Sequence, residues 1–456
     1  MERGFLRKKT VPKQRKDNKQ KPKPKINGVD RISALPKPLL HHILSFLDMK
    51  YVVQTSLLST KWRDLWVSLR ILNITCRCWV DNDEDINYEE FQNFVDKMLL
   101  HRDGSDIQKF YLTWDFIDAD SVDEYMSKLY TWVACAVRRH VEEMELHIIY
   151  APPLFSFSSS TSLRTLRLNG PALPVQAEGS WLGPALETLV IENCKHQYLE
   201  FLNISSPQLK YLMVKNDIQC EIYGPEICDL KICAPNLITL ECIGYMYNDY
   251  LFENLSSVTS ARIDTKMLPN TKNAKDILGT CLNKILSGLA SANSLSLSVE
   301  GVQRFGELPN LWKPVPVSLP NLKYLKLREW RNNGCVHVLA KLFESFPFIQ
   351  TLILERTKVP LKSSKKAVKK DVDWGRKLLF NCKFYGLKVI EMHNLQGCEN
   401  ELIFVESLLK NAMVLEKMTI TTTKVVSSER EKELARYNKK LQSLPRASQS
   451  ATISIL

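Results

Sequence analysis

The sequence predicts an α/β chain: a compact N-terminal block of three helices, then a solenoid with short parallel strands inside and helices outside. Three observations predict it. A six-residue motif, aliphatic-x-x-aliphatic-x-aliphatic, returns through most of the 456 residues, at nearly even spacing where its copies are densest. Ahead of it, residues 30–70 carry apolar side chains at helical spacing. Ahead of both, a basic tail takes most of the charge. Hydrophobic residues at 45% and charged residues at 25% match a globular protein and exclude wholesale disorder. The length exceeds one compact core, so the chain folds in pieces.

The tail, residues 1–27, is expected to be disordered. Its first 25 residues hold eleven lysines and arginines against Glu2 and Asp17, which is nine of the twelve net positive charges. Such a segment buries no apolar surface, and its functional readings are a nuclear-import signal or a loose polyanion contact. The remaining chain is nearly neutral, which excludes a folded basic surface for specific nucleic-acid binding.

Next comes the helical block, residues 28–75. Leu35 and Pro36 lead into Leu39, Leu40, Ile43, Leu44 and Leu47 on one predicted helix. Asp48 offers an N-cap for a second helix with Val52, Val53, Leu57 and Leu58, and Ser59 for a third with Trp62, Leu65 and Trp66. So small a unit leaves much of this apolar surface in water, so it must dock onto something. Two further helical stretches follow at 84–102 and 121–140.

The solenoid is expected over 76–365, with further repeats over 370–450. The motif reads Val141/Met144/Leu146, Leu163/Leu166/Leu168, Leu186/Leu189/Ile191, Leu209/Leu212/Val214 and Leu237/Leu240/Cys242. It recurs from Leu322, Ile349, Leu387 and Leu415, with weaker copies from Ile107, Val258 and Ala292. The first four starts lie about 22–23 residues apart, inside the roughly 20–29 of leucine-rich repeats. Pro184, Pro207, Pro235, Pro320 and Pro347 each stand two places before a start. Proline cannot continue a helix and so marks the extended approach to each strand. Helices are expected at 276–289, capped by Asp276, at 336–346 and at 401–409, and Lys358, Lys362, Lys365, Lys366, Lys369 and Lys370 mark an exposed insertion.

Within each strand the aliphatic residues point into the stack, and the third and fifth motif positions point out. The outward pairs are Thr165/Arg167, Thr188/Val190, Tyr211/Met213, Thr239/Glu241, Tyr324/Lys326 and Thr351/Ile353. Tyr211, Met213, Tyr324 and Ile353 are larger and less polar than a solvated face requires, which makes them the candidates for gripping a target protein.

The block resembles the F-box of plant F-box/leucine-rich-repeat proteins. The residues that carry the likeness are Ile32-Ser-Ala-Leu-Pro36, Leu39-Leu40, Ile43-Leu-Ser-Phe-Leu47 and Val52-Val-Gln-Thr-Ser-Leu-Leu-Ser-Thr-Lys-Trp-Arg-Asp-Leu-Trp66. The C-terminal stretch resembles the FBD domain of the same proteins, in Leu387-Lys-Val-Ile-Glu391, Gly397, Glu401, Leu409, Asn411-Ala412, Val414-Leu-Glu-Lys-Met-Thr-Ile420 and Pro445-Arg-Ala-Ser448. Lys37-Pro38 departs from the acidic pair common after the Leu-Pro. The resemblance implies a non-catalytic, substrate-recruiting subunit of a cullin-RING ubiquitin ligase. Its F-box would dock a Skp-family adaptor, reach the cullin through it, and hold an unknown target on the repeats. It implies Leu35, Pro36, Leu39, Leu40, Ile43, Leu44, Leu57, Leu58 and Trp62 as adaptor contacts or F-box core, with the division between the two roles left open. A repeat scaffold without a ligase is the alternative.

Chemistry of other kinds finds no pattern. The twelve cysteines form no C-x-x-C pair, so neither a metal nor another cofactor is expected. No apolar run approaches the ~20 residues of a membrane span, and there is no secretory signal, so a nuclear or cytoplasmic location with free, mostly buried thiols is expected. His101-Arg-Asp103 looks like part of a kinase loop, but Gln108 stands where magnesium needs Asn, and no phosphate-binding glycine motif occurs. An enzyme is not expected.

Overall fold

The computed structural model describes residues 31–80, 86–115, 122–148, 157–170, 173, 180–194, 199–217, 228–245, 247–266, 274–298, 319–330, 343, 346, 348–356, 383–423 and 428–456. The basic tail, residues 336–342 and 344–345 of one expected helix and the Lys358–Lys370 insertion lie outside these residues.

Two α-helices open the chain, α1 (Lys37–Leu44) and α2 (Met49–Gln54). Asp48 caps α2 as its position suggests: one carboxylate oxygen accepts from the Lys50 N–H at 2.8 Å. The expected third helix is instead a string of turns, with single-turn 3-10 segments at Thr55–Leu57 and Trp66–Ser68. The run from Ser59 is short and carries Thr60, Asp64 and two tryptophans, poor material for nucleating an α-helix. Packing holds it instead, with Trp62 and Leu65 buried and the Trp62 indole donating to Ser33 Oγ at 2.7 Å.

Fourteen strands then form one all-parallel sheet in the order β1 (Ile71–Thr75), β2 (Lys109–Trp114), β3 (Glu143–Ile148), β4 (Thr165–Asn169), β5 (Thr188–Glu192), β7 (Tyr211–Asn216), β9 (Thr239–Tyr245), β11 (Ser260–Lys266), β12 (Ser294–Ser298), β13 (Tyr324–Trp330), β14 (Thr351–Arg356), β15 (Val389–Leu395), β16 (Lys417–Thr422) and β17 (Thr452–Ile455). Every motif copy falls on a strand that begins two residues after its first aliphatic position. Neighbouring strands pair with their aliphatic positions in register: Leu166 faces Leu189, Leu189 faces Leu212, and Leu212 faces Leu240. The two flanking aliphatic positions of these strands are buried, and they stack as continuous columns.

Helices cover the other side of this sheet: α3 (Tyr88–Leu100), α4 (Val122–Arg138), α5 (Ala274–Gly288), α6 (Glu399–Asn411) and α7 (Ser428–Gln442). In three coils a strand takes the helix's place. β6 (Phe201–Ser205), β8 (Asp229–Cys233) and β10 (Tyr250–Glu253) form a separate parallel sheet, and α5 packs against β10. All three are too short for a helix, and β6 and β8 alternate with period two, as in Asp229-Leu-Lys-Ile-Cys233 of β8. The first coil is closed by aromatics: Trp132 stacks on Trp114 at 4.7 Å and meets Phe91 edge-on at 5.9 Å.

The core is continuous from the helical block to the last strand: Leu40, Leu44, Met49 and Val52 belong to the same cluster as Leu72 and Ile74 of β1. Polar bonds fix the joint. The second Asp48 oxygen accepts from the Thr75 N–H at 2.8 Å, and Lys50 Nζ donates to the Cys78 carbonyl at 2.7 Å while lying 4.2 Å from the Trp79 ring centre. Among the described residues Cys76, Cys194, Cys228, Cys242 and Cys281 are free, buried thiols. Burial pushes the Cys242 thiol up to about 12 and those of Cys228 and Cys281 to about 11, so these are protonated packing residues.

Candidate functional site

Two surfaces stand apart from the rest. The first is on the helical block. Along α1, side chains at i and i+4 share a face. Leu40 and Leu44 make the inner face and are shut off from solvent, while Leu39 and Ile43 make the neighbouring face and stand 49% and 41% exposed. A helix that is apolar on both faces has a second surface to bury.

That second face continues beyond α1. Leu57 and Leu58 are 87% and 69% exposed, and Ile32, Phe46, Leu47 and Tyr51 are also open. Phe46 rests edge-on against His42 at 4.9 Å. Trp62 is buried, Leu35 is half-buried against the core, and Pro36 is exposed at the N-cap of α1. Of the residues that the sequence singles out, Leu40, Leu44 and Trp62 thus belong to the core, and Leu39, Ile43, Leu57 and Leu58 to the surface. The sequence carried Ile32 and Phe46 only within the F-box likeness and passed over Tyr51, because periodicity marks apolar positions without saying which of two apolar faces is covered.

The second surface is the open face of the fourteen-stranded sheet. Tyr211, Met213, Tyr324 and Ile353 all lie on it, each half-buried between neighbours. The Tyr211 hydroxyl is already engaged, donating to Glu241 Oε1 at 2.9 Å; burial first, and that bond second, push the phenol to about 12. Val190, expected to point out to solvent, is 4% exposed. Its cross-strand neighbours are Arg167 and Met213, and a short side chain between two long ones is covered by them.

Charges on this face are largely spent on one another. Arg262 meets Glu241 at 3.4 Å and Asp264 at 3.0 Å, Arg328 reaches over β12 to the same Asp264 at 2.7 Å, and Lys326 meets Glu355 at 3.0 Å.

At the far end of the sheet, Glu401 organises the β15–α6 connection. Its fully buried carboxylate accepts from the N–H groups of Gln396, Gly397 and Cys398 at 3.0, 2.6 and 3.2 Å, and from Arg356 Nη1 at 2.5 Å. Gly397 takes φ +74°, and a Cβ there would lie 2.8 Å from Leu434 Cδ2. Ser448 Oγ donates to the Leu415 carbonyl at 2.7 Å, tying the C-terminal segment to β16. This is structural chemistry. Among the described residues no group of three or more His, Cys, Asp or Glu is placed to hold a metal.

Comparison with known proteins agrees with this division. The F-box domain family model matches residues 32–73 and the FBD family model residues 385–420, the two regions just described. An F-box/LRR-repeat protein of Arabidopsis thaliana is 27% identical over 72% of this chain and 69% of its own length. A second F-box/LRR-repeat protein of that plant is 24% identical over 94% of this chain and 98% of its own length. An FBD-associated F-box protein, also from Arabidopsis thaliana, is 26% identical over 86% of this chain and 92% of its own length. A match to the F-box model at residues 32–73 and to the FBD model at 385–420, with a solenoid of parallel strands between, makes the organisation of this chain similar to that of the F-box/FBD/leucine-rich-repeat proteins.

Proposed function

We propose that the chain is the non-catalytic target-recognition subunit of an SCF-type cullin-RING ubiquitin ligase. F-box domains in general bind Skp-family adaptors. Here the adaptor would sit on the exposed apolar face of the block, reach the cullin from there, and leave the open sheet face to hold the target. Catalysis would then be by proximity, on other subunits of the ligase.

One observation carries the reading. The segment matched by the F-box family model presents Ile32, Leu39, Ile43, Phe46, Leu57 and Leu58 to solvent, although its own core is already filled by Leu40, Leu44, Met49 and Val52. Burying large side chains is worth about 1.5–3 kcal/mol each, so such a face is costly without a partner. The test is affinity purification of the tagged chain from plant cells. An adaptor and a cullin should co-purify with the native chain and be lost when Leu57 and Leu58 are both changed to Asp. A native chain that brings down neither would sink the ligase reading in favour of a repeat scaffold.

The basic tail is proposed to direct nuclear entry. Deleting residues 1–25 should move a fluorescent fusion toward the cytoplasm without changing the melting temperature. Unaltered nuclear accumulation would remove that role.

A further inference from the structure

From β4 to β14, eight strands in sheet order present a hydroxyl at the same register position of the open face, starting at Thr165 and ending at Thr351. Each strand faces its neighbour directly at this position, so the row crosses the sheet at right angles to the strands. With strands about 4.8 Å apart it runs for roughly 34 Å. Propensity alone does not explain it. Valine suits a strand at least as well as threonine and takes this position on the next strand, at Val389, while serine, at Ser260 and Ser294, is no strand former.

All eight residues are half-buried, and among the described residues Tyr211 alone has a hydrogen-bond partner for its hydroxyl. The middle of the row carries its smaller side chains. Tyr211 and Tyr324 stand four strands apart, about 19 Å, with only Thr239, Ser260 and Ser294 between them. The charged rows beside it are closed on themselves through the Glu241–Arg262–Asp264–Arg328 chain.

We propose that this hydroxyl row seats an extended, uncharged segment of the target polypeptide, rich in hydrogen-bonding side chains and laid across the strands between Tyr211 and Tyr324. The proposal rests on the reading of the open face as the target surface and deepens it. An acidic or basic segment would have to displace an ion pair that is already made, and exchange of one pair for another gains little. An uncharged polar segment leaves every pair in place and satisfies hydroxyls that now have only water. The tyrosines at the two ends supply rigid area at small entropic cost.

The test uses the full chain, alone and with its adaptor bound, against three sets of short fluorescent peptides of equal length: Ser/Thr/Asn/Gln-rich, Asp/Glu-rich and Lys/Arg-rich. The uncharged set should bind about tenfold more tightly than either charged set, with little change from low to high salt. Replacing Thr239 with the isosteric Val, and Ser260 and Ser294 with Ala, should weaken that binding about tenfold. Should the triple variant melt lower than the native chain, Tyr324→Phe removes one hydroxyl at the rim and should weaken binding about threefold. A charged set bound as tightly as the uncharged one, variants that bind unchanged, or no set held at all would overturn the proposal. Loss of adaptor binding moves none of these readouts, so failure here is separable from failure of the ligase reading.

Discussion

Leu57 and Leu58 project from their turn almost free of contact, whereas Leu40 and Leu44 are closed off beneath α1. Equal chemistry therefore has opposite consequences. Leu57→Asp with Leu58→Asp should abolish adaptor capture and alter stability by no more than about 0.5 kcal/mol. Leu40→Ala should cost about 2–5 kcal/mol by chemical denaturation, because it opens a cavity in a filled core. Adaptor loss in a Leu40 or Leu44 variant would accordingly report unfolding rather than contact. Asp48 makes a separate pH prediction. Burial holds its carboxyl above the usual aspartate value, against the two N–H groups that bond it. The folded state then binds more protons than the unfolded state in the window just above the ordinary pKa of 3.8. Asp48's contribution is thus full below that value and is lost as pH rises through the raised one. Subtracting the profile of Asp48→Asn from that of the native chain should reveal this falling component, and a component that rises with pH would contradict it.

At the scale of elements, the β15–α6 connection shows why the FBD pattern has the residues it has. Gly397 is needed for its left-handed backbone, and Glu401 gathers three N–H groups at a helix start together with the Arg356 guanidinium. Glu401→Ala leaves that guanidinium buried without its partner and should cost about 3–5 kcal/mol in a denaturant titration. Gly244 is a second such point, inside β9 at φ +98°, where a Cβ would come within 2.1 Å of the Asn216 carbonyl oxygen. Gly244→Ala should lower the melting temperature sharply, with the peptide and adaptor readouts declining together. The strands of the main sheet were legible because three aliphatic positions at fixed offsets encode both the strand and its inward face. β1, β17 and the outer strands β6, β8 and β10 were not, since four or five residues with at most two buried side chains are indistinguishable from loop until neighbours pair with them. The third block helix misled for the opposite reason. Its apolar spacing is real, but tertiary packing, not an α-helical ladder, meets it. The hydroxyl row was in the sequence throughout and became visible only when register showed that eight scattered residues are neighbours.

For the whole molecule, the unbroken core means that the helical block and the repeats cannot fold apart. β1 is covered by the helical block, and removing that cover exposes a strand edge. A chain lacking residues 1–70 should therefore elute as aggregate on size exclusion where the full chain does not, and a well-behaved monomer would show that the solenoid is self-sufficient. The same continuity makes the molecule a ruler. From β1 to β13 there are nine steps of about 4.8 Å each, roughly 43 Å of arc with unbroken strand pairing along it. Whatever lies between Tyr211 and Tyr324 is thus held at a set reach from whatever lies on Leu57 and Leu58. Inserting or deleting one coil between β2 and β7 would shift that reach by a single rung and turn whatever the open face holds, while leaving both surfaces intact.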